Sequence, residues 1–193
     1  NYWGNLDDSL KKEFIFINVS TDEVFGTCDL NNPFTELSSF RPNSPYSASK
    51  AAADHLANAW SQTYNLPIIT THCTNNYGPF QNKEKLIPKT IDCLINRKPI
   101  PIYGNGKNIR DWIYVGEHVD RLIDLQMSSA KNDTYLIGGN NELSNVEIIK
   151  EIVSIIHPSG QWNPGEYIAF VDDRKGHDMR YAIDDTKMRN FLG

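Results

Sequence analysis

Residues 14–26 read "FIFINVSTDEVFG", and the reading of this stretch decides the fold. The run Phe14–Val19 is short, continuous and rich in aromatic and β-branched residues, which predicts a strand buried on both faces. It ends abruptly in a hydroxyl and two adjacent carboxylates, Thr21, Asp22 and Glu23. Beyond a loop with Asn31, Asn32 and two prolines comes "SPYSASKAAADHLANAWSQTY" (44–64). There Ser44 is placed to cap a helix, Pro45 suits its first turn, and Leu56, Trp60 and the alanines supply an apolar stripe. "LPIITTHCTN" (66–75) predicts a second buried strand, stopped by "NYGP". Strand, helix and strand in that order predict an α/β protein with a parallel sheet.

The second half is more mixed and suits a smaller lobe. "EKLIPKTIDCLINR" (84–97) predicts a helix after Pro88, and "PIPIYGNGKNIRDWIYV" (99–115) two strands around a Gly-Asn-Gly turn. "GEHVDRLIDLQMSSA" (116–130) has the pattern of an amphipathic helix, and "DTYLIGG" (133–139) that of a strand with a glycine stop. Ser144 and Glu147 make a capping box ahead of a helix through residue 157. "EYIAFV" (166–171) predicts a late strand before the polar loop "DDRKGHDMRY" (172–181).

Composition narrows the function classes. With 39% hydrophobic and 22% charged residues the chain has the make-up of a globular protein. A net charge of −5 supplies no electrostatic reason to expect a nucleic-acid partner. No apolar run approaches the roughly 20 residues of a membrane helix. Cys28, Cys73 and Cys93 are odd in number and lack metal-ligand spacing, so they read as reduced thiols of a cytoplasmic protein with no metal site. The opening runs into a strand without a first element and the end stops as a helix finishes. A piece of a longer chain is expected.

In parallel α/β sheets ligands gather beyond the carboxyl ends of the strands. Thr21, Asp22 and Glu23 stand at one such end, Asn75 and Asn76 at another. Tyr46 and Lys50 are four apart and share a helix face. A phenol with a pKa near 10 is a poor base, and a neighbouring ammonium is expected to favour its phenolate. The same lysine can donate to ribose hydroxyls of a dinucleotide. Taken singly each feature has a plain alternative: a chance pair on a helix, and acids that cap a helix or line a solvated loop.

Taken in order, "VSTDEVFG", "SPYSASK", "TNNYGP", "EKLIPK", "PIYGNGKNIRDWIYV" and "RKGHDMRY" resemble the extended short-chain dehydrogenases that act on nucleotide sugars. Within them the chain looks most like the dTDP-hexose 4,6-dehydratase branch, because related epimerases carry Ser-Ser or Ser-Ala types where this chain has Thr-Asp-Glu. The resemblance covers essentially the whole chain and implies part of a Rossmann-type sheet with a smaller mixed α/β lobe. Residues 1–80 would be the C-terminal part of the NAD-binding domain. Residues 81–193 would be mainly the nucleotide-sugar lobe, with some segments returning to the sheet.

The resemblance also implies roles. Tyr46, supported by Lys50, would take the proton from the sugar 4-hydroxyl, with Thr21 hydrogen-bonded at that oxygen. Glu23 would remove the C5 proton, and protonated Asp22 would release the C6 hydroxyl as water. Tyr46, Lys50 and Asn76 would meet NAD. Asn75, Lys85, Leu86 and Asn145 would flank the substrate, and Pro101, Ile102 and Tyr103 would hold the base. Arg110 and Arg174 would bind the diphosphate, whose oxygens suit guanidinium forks, and His177 and Tyr181 would lie beside the nucleotide. The substrate class is a nucleoside-diphosphate hexose, dTDP-glucose foremost, and the full-length enzyme would be a homodimer using a helix such as 44–64. Members that epimerise or decarboxylate UDP-sugars, and an inactive sugar-nucleotide-binding fragment, are the competing readings.

Departures from the family pattern are specific. Phe25 stands where tyrosine is more frequent, and the segment from Glu23 to Tyr46 is shorter than in many bacterial members. Gly104–Gly106 is a turn and not a phosphate loop, and no G-x-x-G-x-x-G follows an initial strand. Without that pyrophosphate cradle, poor NAD binding is expected of this piece alone.

Overall fold

The computed structural model describes residues 2–29, 31–158 and 163–192. In chain order the elements are α1 (Asp8–Glu13), β1 (Phe16–Thr21), α2 (Pro45–Tyr64), β2 (Ile68–Cys73), β3 (Asn75–Tyr77), α3 (Leu86–Ile95), β4 (Ile100–Tyr103) and β5 (Ile109–Tyr114). Then come α4 (Val115–Met127), β6 (Asp133–Ile137), β7 (Glu142–Ser144), α5 (Asn145–Ile156), α6 (Pro164–Tyr167), β8 (Ile168–Val171) and α7 (Thr186–Leu192). The protein is α/β, as its strand–helix alternation requires.

The central sheet is parallel in the order β1-β2-β6. Thr21 lies opposite Cys73, and Cys73 opposite Ile137, so the three carboxyl ends are flush. Beside it, β5 pairs in parallel with β3 and antiparallel with β7. A separate parallel pair joins β4 to β8. Three apolar clusters hold these parts. One joins Ile69, Ile113, Leu125, Ile137 and Met188 under the central sheet, and another packs Val24, Phe25, Ala51, Leu136 and Ile183. A third fills the space between α3, α5 and the β4–β8 pair, around Leu94, Ile100, Ile102, Ile149 and Val153. Phe25, the departure from tyrosine, is thus a core residue against Phe34 and Phe40.

Local chemistry explains the helices. Ser44 and Ser47 form a reciprocal capping box at the start of α2, with Pro45 in the first turn, and Ser44's place there satisfies end N–H groups that the helix itself cannot. Ser144 and Glu147 do the same for α5. α3 begins two residues before Pro88 rather than after it, because a proline in the first turn forfeits no intrahelical hydrogen bond.

Two other expectations are corrected. β1 starts at Phe16, since Phe14 ends α1, and it is not buried on both faces: Phe16 and Val19 are 46% and 41% exposed. Within the described residues β1 pairs only with β2. The strands flanking Gly104–Gly106 do not pair with each other. Both glycines have positive φ, +58° and +68°, and the turn they make sends β4 to β8 and β5 to β3 and β7.

Candidate active site at the carboxyl ends of the parallel strands

The chain leaves β1 at Thr21 and turns at once into a 3-10 helix, Asp22–Phe25. Thr21 is its cap: the hydroxyl oxygen accepts from the Glu23 N–H at 3.3 Å and the hydroxyl donates to Asp22 Oδ1 at 3.3 Å. The acids are therefore the first turn of a short helix, but capping does not exhaust them. Asp22 is 2% exposed, and its Oδ2 has no hydrogen-bond partner. Burial, with Glu23 alongside, pushes its carboxyl up to about 8. At neutral pH Asp22 is a protonated acid with a proton to give.

Glu23 is half-buried, and burial raises its pKa as well, against the opposing charges of Arg110, Lys85 and Arg174. Two neighbouring carboxyls thus differ in kind: one sealed and neutral, one partly open and facing three cations. That separation is what an acid–base pair working on adjacent carbons needs.

Tyr46 sits in the first turn of α2 and is 55% exposed. Its phenol feels Glu23, Cys73 and Asp22, which places it with the acids. The expected phenolate is not favoured in this arrangement. Burial first, then those three groups, holds the phenol above its ordinary value. Lys50 instead donates its ammonium to the Val19 carbonyl at 2.8 Å. Cys73, the last residue of β2, is itself pushed up to about 11 by burial, so at neutral pH Cys73 and Asp22 are uncharged, and burial together with Glu23 opposes ionisation of the phenol.

Asn75 and Asn76 follow β2 by two residues and form β3 against Trp112 and Ile113. The Asn76 carboxamide is held at both ends. Its Nδ2 reaches the Thr74 carbonyl at 3.1 Å and its Oδ1 meets His118 Nδ1 at 2.9 Å.

A cationic wall faces the acids. Arg110 on β5 is buried; its guanidinium donates to the carbonyls of Ile109 (2.7 Å) and Asp178 (2.8 Å) and lies 4.3 Å over the Tyr181 ring. Arg174 lies 5.1 Å over Tyr103 and bonds to His177 Nε2 at 3.1 Å, while His177 Nδ1 meets Asp173 at 2.7 Å. Lys85 stands before α3. Glu23 feels Lys85, Arg110, Arg174 and Asp178, and Tyr181 feels Glu23, so the wall and the acids share one site.

Three candidates, Ile102, Leu86 and Asn145, stand apart. Ile102 is 2% exposed and belongs to the core, whereas Pro101 and Tyr103 project outward from β4. Leu86 packs against the same core. Asn145 opens α5 and gives its N–H to the Asn108 carbonyl at 3.1 Å. Conversely, sequence reading passed over His118, Cys73 and Asp178. Asp178 alone had a signal, its place beside His177 in the polar loop.

For a dinucleotide the residues present fit one end. Tyr46, Lys50 and Asn76 collect donors at the carboxyl ends of β1 and β2, the place where such folds receive a nicotinamide ribose. A glycine-rich phosphate cradle is not among them.

Residues 5–193 match the family described as GDP-mannose 4,6 dehydratase. The chain is 45% identical over 197 residues to the dTDP-glucose 4,6-dehydratase of Xanthomonas campestris pv. campestris strain B100, covering 100% of this chain and 56% of that protein. To a probable dTDP-glucose 4,6-dehydratase of Sinorhizobium fredii it is 47% identical over 195 residues, covering 100% and 55%. The crystal structure of dTDP-glucose 4,6-dehydratase from Bacillus anthracis str. Ames in complex with NAD superposes with a TM-score of 0.83 at 43% identity, over 90% of this chain and 54% of that one. A Streptomyces venezuelae dTDP-glucose 4,6-dehydratase crystallised with NAD gives 0.86 at 39% identity, over 93% and 54%. The chain spans about half the length of the curated relatives it matches.

Proposed function

The chain belongs to the GDP-mannose 4,6 dehydratase family, and from that premise we propose that it is the catalytic and sugar-nucleotide-binding part of an NAD-dependent dTDP-glucose 4,6-dehydratase. The observation that carries this reading is the buried, protonated Asp22 beside a partly open Glu23 and the Tyr46 phenol. The names of the relatives, at 45–47% identity, favour dTDP-glucose over a GDP-sugar as substrate.

Bound NAD supplies the oxidation of the hexose at C4 and the later reduction at C6. The residues of this chain supply binding and proton movement. Tyr46 accepts the proton of the sugar 4-hydroxyl, and Thr21, one residue before the acids, hydrogen-bonds the same oxygen. A carbonyl at C4 acidifies the C5 hydrogen, and Glu23 takes it. Asp22 gives its proton to the departing C6 oxygen, and water leaves. Glu23 then returns a proton to C5. Lys50 orients Tyr46 and the ribose, and Asn76 meets the cofactor. Arg110 and Arg174 hold the diphosphate, Tyr103, His177 and Tyr181 flank the nucleotide, Pro101 and the main chain of Ile102 border its base, and Lys85, Leu86, Asn75 and Asn145 complete the substrate walls.

We assign residues 1–80 to the cofactor side and most of 81–193 to the sugar-nucleotide lobe, with β6 returning to the central sheet. Homodimers would form through α2, where Leu56, Trp60 and Tyr64 are exposed and the two rings lie 4.6 Å apart. Among the described residues no helix is long and apolar enough to cross a membrane, and we place the enzyme in the cytoplasm. Full-length protein incubated with dTDP-glucose should yield a 4-keto sugar detected by its alkali-induced absorbance. Glu23→Gln should abolish that signal, and elimination at the normal rate in this variant would refute the assignment.

A further inference from the structure

Asp178 belongs to none of the groups assigned a role above, yet it is the most heavily used buried carboxylate of the site. It is 5% exposed. Its Oδ2 accepts the Tyr181 hydroxyl at 2.6 Å, and its Oδ1 accepts Asn43 Nδ2 at 2.6 Å and the Thr27 hydroxyl. Its main-chain carbonyl accepts Arg110 Nη2 at 2.8 Å and Asn108 Nδ2 at 3.1 Å. The donors come from the loop after the catalytic 3-10 helix, the residue before the cap of α2, the start of β5, and Tyr181. Among the described residues no cation pairs with the carboxylate itself. A buried carboxyl group that gathers donors from several segments is costly to keep for packing alone.

We propose that Asp178 is a positioning residue: it fixes Tyr181 and the guanidinium stacked on that ring, and so sets where the diphosphate of the sugar nucleotide sits relative to Glu23 and Tyr46. This rests on the reading that Arg110 and Tyr181 bind the nucleotide. Arg110 has its face on Tyr181 and two of its groups on main-chain carbonyls. Its remaining N–H groups can aim at a phosphate only while both supports hold. The Tyr181 ring is buried under that guanidinium, and its hydroxyl, the polar end that fixes the ring's direction, is held by Asp178. Because Asn43 lies three residues before Tyr46, the same carboxylate ties the diphosphate wall to the helix that carries the phenol. Three donors need three acceptor sites. An asparagine at 178 offers a single oxygen and turns an amide group toward a donor.

The test uses the full-length protein, with calorimetric binding of dTDP beside kinetics on dTDP-glucose. Asp178→Asn and Tyr181→Phe should each weaken dTDP about tenfold, the effect of misaligning one charged hydrogen bond. KM should rise by the same factor with kcat within about twofold, the sign of lost uniform binding. The double variant should lose about tenfold rather than a hundredfold, because both changes break one linkage. A purely structural role would lower the melting temperature and leave this pattern absent. Unchanged dTDP affinity in Tyr181→Phe, which keeps the ring and is decisive should Asp178→Asn not fold, would overturn the inference. So would additive losses in the double variant. Failure of the wild-type protein to bind dTDP would overturn the function reading along with it.

Discussion

The protonated state of Asp22 has a consequence for stability that is separable from catalysis. Its carboxyl lies at about 8 in the folded protein against an ordinary value of 3.8, a gap of roughly four pH units at about 1.4 kcal/mol each. A raised carboxyl means that the folded state binds a proton which the unfolded state has released. Stability from this group is fully present below the ordinary value and is lost as pH climbs toward about 8, by an amount on the order of 5 kcal/mol. Asp22→Asn removes the ionisation while keeping shape and the acceptor for Thr21. Its stability relative to wild type should therefore grow by on the order of 4 kcal/mol between about pH 5 and pH 8.5. At about 2–4 °C per kcal/mol for a domain of this size, the melting temperatures should diverge by on the order of 10 °C. The assay is a series of thermal melts of both proteins across that range, with activity followed alongside. The variant should be inactive in dehydration yet the more stable protein at alkaline pH. A stability difference that does not change with pH would show that Asp22 is ionised in the folded state, and the acid role would go with it.

Three further outcomes follow from the geometry. Gly26→Ala should destabilise the turn after the 3-10 helix by about 1–3 kcal/mol in denaturant unfolding, because Gly26 has φ +80° and a Cβ there would lie 2.5 Å from the Arg41 carbonyl oxygen. Asp54→Ala should cost about 3–5 kcal/mol by the same measurement, since it strands a buried partner: Asp54 accepts from Asn18, Ser20 and His72 at 2.7–3.1 Å. The Asp54 carboxyl is held low despite its burial. The stability it contributes is present above the ordinary carboxylate value and lost as pH falls through its folded value, and melts in acid should show wild type approaching the Asp54→Ala variant. Ser144→Ala should cost about 1 kcal/mol by removing the cap of α5, with unchanged activity.

Local chemistry made most elements legible. The caps at Ser44 and Ser144, the apolar run of β2 and the glycine stop after β6 each depend on residues within a few positions of one another, and the structure has those elements there. Apart from the start of α3, set by a proline in its first turn, the failures were non-local. Phe14–Val19 has the composition of a buried strand, but which neighbours cover it is settled by distant chain. The two strands around Gly104–Gly106 looked like partners because they are adjacent in sequence. Ile100 and Ile102 of β4 pack with α3 and α5, whereas Ile113 of β5 packs with Ile69, Leu125 and Ile137. The candidate site divides in the same way. That Thr21, Asp22 and Glu23 stand at a strand end could be read directly, because the apolar pattern stops there. That Lys50 would turn to the Val19 carbonyl, that Ile102 would face inward, and that Asp178 would gather four segments could not.

The linear order of residues dictated which acids, phenol and cations are available and that they lie at the ends of parallel strands, since strand alternation and helix caps are short-range effects. Folding alone decided their protonation and their aim. A pKa shift comes from how completely water is excluded and which charges end up facing the group, and both can depend on segments more than a hundred residues apart in the chain, as with Glu23 and Arg174.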